Sequence, residues 1–138
     1  MRGAVAFLVL GVTGCTGGAP PPPPSPPAVS DRSSIGYASV REALAALRAK
    51  PGAQLGEQDG WTIVQDQESE KSMALWSFPP ASDPAYPSAV KRVVFEKDGT
   101  VQIGMQVLCE STKPACEQLV RDFQDLNERT KQSFGDGR

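Results

Sequence analysis

Val101-Gln102-Ile103-Gly104-Met105-Gln106-Val107-Leu108-Cys109, followed after a short polar link by Cys116, Leu119, Val120, Phe123 and Leu126, decides how this chain folds. In the first half, Val101, Ile103, Met105, Val107 and Cys109 alternate with Thr100, Gln102, Gly104 and Gln106, the period-two pattern of a strand with one buried face. In the second half the apolar residues recur at three- and four-residue spacing, the stripe of an amphipathic helix. Cys109 and Cys116 both face the interior from adjoining elements. A disulfide between them, pinning the last helix to the last strand, is the expectation for an oxidising compartment.

Outward from this corner the chain reads as a series of short strands. Lys97-Asp98-Gly99 turns a strand at residues 90–96 back into the one at 101–109, because Asp-Gly readily takes the positive φ angles of a tight hairpin. A proline-punctuated loop at 79–88 precedes it, and Pro79 and Pro80 end a strand at 73–78. Residues 66–72 are polar and predict a loop. Asp59-Gly60 predicts a second hairpin, between strands at 54–58 and 61–65. Before these, Ser39-Val40-Arg41-Glu42 fits a capping box that opens a helix with the stripe Val40, Ala43, Leu44 and Leu47, stopped by Pro51 and Gly52.

The C-terminal helix is expected over residues 114–131, with Pro114 in its first turn and Arg129 and Lys131 near its negative end. The predicted fold is α+β: an N-terminal helix, a four- to five-stranded antiparallel meander, and a C-terminal helix, with the helices packed on one sheet face.

The N-terminus is of another kind. A basic start (Met1, Arg2) and an apolar run at 4–12 form a signal segment shorter than the ~20 residues a permanent membrane helix needs. Residues 20–27 are prolines interrupted only by Ser25, a semi-rigid polyproline II spacer of roughly 25 Å at ~3.1 Å per residue. The expected divisions are a signal peptide at 1–14, a modified cysteine with its linker at 15–35, a folded domain at 36–132 and a disordered tail at 133–138.

Val12-Thr13-Gly14-Cys15 resembles the lipobox of bacterial lipoproteins. The resemblance implies cleavage before Cys15, a thioether-linked diacylglycerol on that cysteine and an added acyl chain. Three cysteines leave an odd thiol in a secreted protein, and lipidation of Cys15 removes it, leaving the pair Cys109 and Cys116. Several acyl chains give stable anchoring, each buried CH₂ being worth about 0.8 kcal/mol. Thr16 stands where an aspartate marks inner-membrane retention in enterobacterial lipoproteins, so the expected location is the periplasmic face of the outer membrane. Gly60-Trp61, Leu75-Trp76-Ser77-Phe78, the prolines of 79–87, Val90-Lys91-Arg92 and the closing cysteine-bearing helix also resemble small proteobacterial envelope proteins, a likeness that brings no catalytic residues with it.

Of the 14 lysines and arginines, cleavage removes Arg2, leaving 13 against 16 acids. So weak an acidic balance argues against a nucleic-acid partner. The chain contains no histidine, which excludes Ser-His-Asp and Cys-His catalysis and histidine-ligated zinc. No phosphate-binding loop, dinucleotide fingerprint or nucleophile elbow occurs, and no cofactor or metal is called for. Asp66, Glu68 and Glu70 lack the glycine and terminal glutamate of a calcium loop and read as solvated. Cys-x₆-Cys is not the redox-active Cys-x-x-Cys.

The weak binding candidates are Trp76, Phe78 and Tyr86, two rings on one face of a strand and a third on the adjoining proline loop. The bland reading puts the tryptophans in the core and leaves Tyr86 as the contact. The functional expectation is a non-enzymatic, lipid-anchored periplasmic protein that binds another envelope protein as an assembly factor or inhibitor. The alternative is a ligand-binding module for peptidoglycan or a small molecule. A hydrolase working with carboxylates alone ranks below both.

Overall fold

The computed structural model describes residues 17–19 and 35–136. The signal segment, Cys15 and the proline tract lie outside the described residues. Among those described, helix α1 (Val40–Ala49) is followed by strands β1 (Gln54–Gln58), β2 (Trp61–Ser69), β3 (Ser72–Phe78), β4 (Ser88–Lys97) and β5 (Thr100–Cys109), then helix α2 (Lys113–Asp136). The strands form one sheet in the order β1-β2-β3-β4-β5, each antiparallel to its neighbour, so the chain is an α+β meander. Both Asp-Gly turns are as expected: Asp59 and Gly60 sit at φ 52 and 81, Asp98 and Gly99 at φ 53 and 72, the left-handed pair of a type I′ hairpin.

Ser39 caps α1, its Oγ accepting from the Glu42 amide at 3.1 Å. The return bond of the expected box goes one residue further back, from Ala38 N to Glu42 Oε2 at 3.1 Å. A second carboxylate arrives from the end of β5, where Glu110 Oε1 accepts from Val40 N at 2.6 Å. Negative charge at a helix N-terminus meets the orphan amides and the macrodipole there. This contact ties the first helix to the last strand.

The expected loop at 66–72 is instead the end of β2 and a two-residue turn at Glu70 and Lys71, with a register shift between Gln67 and Ser69. Two of its three acids, Asp66 and Glu68, are neutralised by cations on neighbouring elements, which sequence spacing does not reveal. Asp66, only 6% exposed, accepts a hydrogen bond from Lys50 Nζ at 2.6 Å, and Glu68 pairs with Lys91. Lys50→Met therefore strands a buried carboxylate. Because Lys50 is itself half exposed and the pair partly screened, a loss of about 1–2 kcal/mol is expected in a denaturant melt. The hydrogen bond to Asp66 raises the Lys50 pKa above 10.5 against the opposing effect of burial. A group raised on folding lends stability that is complete below its unfolded pKa and fades as pH climbs through the folded one. Above pH 10.5 the wild-type melt should fall faster than that of Lys50→Met.

The two helices cover opposite faces of the sheet, not one. Under α1, Val40, Ala43 and Leu47 pack with Ile35, Val64, Ala74, Trp76, Phe78, Ala89 and Leu108. Under α2, Cys116 and Leu119 pack with Ala85, Val90 and Cys109, flanked by Trp61, Met105, Val107 and Phe123. The cause is legible in the strands themselves. Consecutive residues Trp76, Ser77 and Phe78, and again Ser88, Ala89 and Val90, are all buried, as happens where a sheet is covered on both sides.

Two boundaries also move. Ile35 is 3% exposed and belongs to the core, one residue inside the expected linker. Helix α2 continues to Asp136 rather than fraying from 133. Its last turns are held by Thr130 Oγ1 and Ser133 Oγ donating to Leu126 O and Arg129 O at 2.8 and 3.0 Å, and by a Lys131–Glu128 ion pair at 2.6 Å.

Candidate functional site

The disulfide anticipated between Cys109 and Cys116 is present, with Cα atoms 5.8 Å apart. It fixes the start of α2 against the end of β5, and the proline loop is strapped to the same corner. Ser111 Oγ, between the two cysteines, donates to Pro84 O at 2.7 Å, and Glu110 N donates to Pro87 O at 2.9 Å. Within the loop, Asp83 N donates to Pro80 O, Tyr86 N to Asp83 O, both at 3.0 Å, and Ala85 N to Asp83 Oδ1 at 2.8 Å. The nine-residue connection between β3 and β4, residues 79–87, is thereby held as a fixed wall.

Between that wall and the first turns of α2 lies a groove of about 220 Å³. Trp61 and Phe123 face it from below, their ring centroids 5.8 Å apart and tilted by 56°. Pro84 and Ala85 form one side, Ala115 and Gln118 the other, and a carboxylate stands on each side, Asp83 on the loop and Asp122 on the helix. Gln118 Nε2 donates to Asp122 Oδ1 at 2.7 Å, and Arg121 Nη2 to Gln118 Oε1 at 2.9 Å, so the helical side is a hydrogen-bonded row. Behind the floor, the Arg92 guanidinium lies 5.4 Å from the centre of the Phe123 ring. Burial pulls the Arg92 pKa below the usual guanidinium range.

The three aromatic candidates separate. Trp76 and Phe78 are 3% and 4% exposed, stacked on each other at 6.3 Å beneath α1. They are core. Tyr86 is 49% exposed on the loop that walls the groove. The aromatic pair that does face solvent, Trp61 with Phe123, belongs to the opposite sheet face. Its only sequence signal is parity: Trp61 stands opposite Gln58 in β1 and, two residues before Ile63, shares the face on which Ser77 and Val90 lie.

Comparison with protein families, with curated proteins and with solved structures returned no match. Function rests on the geometry. Among the described residues no set of three or more Cys, Asp or Glu side chains is placed to hold a metal ion, and no helix is long and apolar enough to cross a membrane. The groove presents an aromatic floor, small apolar sides and acceptor groups at its rim.

Proposed function

We propose that this protein is a lipid-anchored envelope protein, held at the membrane through Cys15, whose folded domain binds another envelope protein through the groove beside Tyr86. The observation that carries the binding half is the Trp61–Phe123 floor between the strapped loop and α2. Rigid aromatics at low conformational cost are what protein interfaces are anchored on. At about 220 Å³ the groove is smaller than the roughly 300–1,000 Å³ of drug-sized ligand pockets, which favours a partner's side chain over a whole small molecule. The anchor half is carried by Val12-Thr13-Gly14-Cys15 and the spacer behind it.

A photo-reactive amino acid in place of Tyr86 should give, in intact cells, one protein adduct of defined mass. The same group in place of Leu55, exposed on β1 at the sheet edge, should not give it. Equal labelling from both positions, or none from either, would overturn the binding reading. Separately, Cys15→Ser should move the protein from the membrane pellet to the soluble fraction. Retention of the variant in the pellet would remove the anchor.

A further inference from the structure

Strand β5 is one edge of the sheet: it pairs with β4, and among the described residues no strand pairs with its other side. Residues 101–109 carry no charge and no proline, the devices by which exposed edges are usually kept from pairing. The opposite edge, β1, is five residues long and carries Glu57. A ten-residue, uncharged edge invites another strand.

The sequence of that edge says which one. Val101-Gln102-Ile103-Gly104-Met105-Gln106-Val107 has the same pattern in both directions about Gly104, with Val matching Val, Gln matching Gln and Ile matching Met. Gly104 is not required by its own chain. It is not among the residues with positive φ, and a Cβ there would meet only the Phe95 ring edge at 3.9 Å and Val93 O at 4.0 Å, ordinary contacts. Glycine weakens a strand interior and marks places where another backbone comes close.

We infer that β5 pairs with β5 of a second copy of this chain, antiparallel about a two-fold axis through Gly104, joining two sheets into one. In this register Val101 faces the second copy's Val107, Gln102 its Gln106, and Ile103 its Met105. The axis runs normal to the sheet, so each face stays on its own side. The glutamines, which share parity with Leu108, pair on the α1 face, and the apolar pairs, which share parity with Val107 and Cys109, lie on the α2 face. The interface is self-complementary, and pairing consumes both uncharged edges, so assembly stops at two.

Single cysteines introduced into the full chain test the register in native membranes under a mild added oxidant. Gly104→Cys should cross-link to twice the chain mass. Gln102→Cys should not, because its opposite number is residue 106, whereas Gln102→Cys combined with Gln106→Cys should. A Gly104→Cys protein that stays single, a Gln102→Cys protein that cross-links equally well, or a mixed disulfide to an unlike protein would overturn the inference. As a second measurement, Gln102→Glu with Gln106→Glu sets like charges across the axis. The particle mass of the purified full chain should fall by half with its melt still cooperative, and mixing with Gln102→Lys/Gln106→Lys should restore it. An unchanged mass for the glutamate variant would overturn the inference as well.

Discussion

Trp76→Ala is expected to cost about 3–5 kcal/mol, the range for deleting a large ring from a core. The indole is 3% exposed and touches three aromatic or cationic neighbours: Tyr37 edge-on at 5.8 Å, Phe78 stacked at 6.3 Å and Lys91 with Nζ 5.3 Å from the ring centre. Lys91 is in turn paired with Glu68, so the ring is the hub through which α1, β2, β3 and β4 meet. Against a total stability of roughly 5–15 kcal/mol, such a loss unfolds much of the population at modest denaturant. In thermal terms a domain of this size should lose more than ~12 °C. Trp76→Phe provides the contrast. Among the described residues the buried Trp76 Nε1 has no hydrogen-bond partner, so replacing the indole by a phenyl ring removes volume but none of the bonds described. A loss clearly smaller than that of Trp76→Ala is expected, because most of the ring volume remains. A Trp76→Ala domain melting within a few degrees of wild type would show that the ring is not part of the core.

The sequence announces β5, α2 and the two Asp-Gly turns because each rests on a local pattern: strict alternation, three- and four-residue spacing, or a dipeptide suited to positive φ. What it conceals depends on partners distant in the chain. Asp66 looks solvated until Lys50 is seen beside it. The alternation in β3 reveals that Trp76 and Phe78 share a face but not that α1, rather than solvent, covers it. Trp61 takes its place in the groove from a helix sixty residues downstream, through Phe123. The site was therefore half legible: the proline loop and Tyr86 were marked by composition, whereas the aromatic floor was set by which helix lies on which face.

Reducing the disulfide should affect the groove as well as the stability, and the two tryptophans make this readable in one cuvette. The bond joins residues seven apart in sequence, so opening that loop should cost about 2–3 kcal/mol by the chain-entropy estimate. Reduction, or the double change Cys109→Ala and Cys116→Ala, should lower the melting temperature accordingly. The corner it releases also holds Ser111, whose hydroxyl fastens Pro84, and Leu119, which packs with Ala85 and both cysteines. Loosening the loop from α2 exposes the Trp61–Phe123 pair, while Trp76, on the other face under α1, stays covered. Acrylamide quenching in the folded baseline should therefore rise for Trp61, isolated in a Trp76→Phe background, and remain unchanged for Trp76 in a Trp61→Phe background. A reduced protein that melts like the oxidised one, or native alkylation that finds two free thiols, would refute the staple. Equal gains in quenching at both tryptophans would mean that the corner steadies the whole domain rather than this one face.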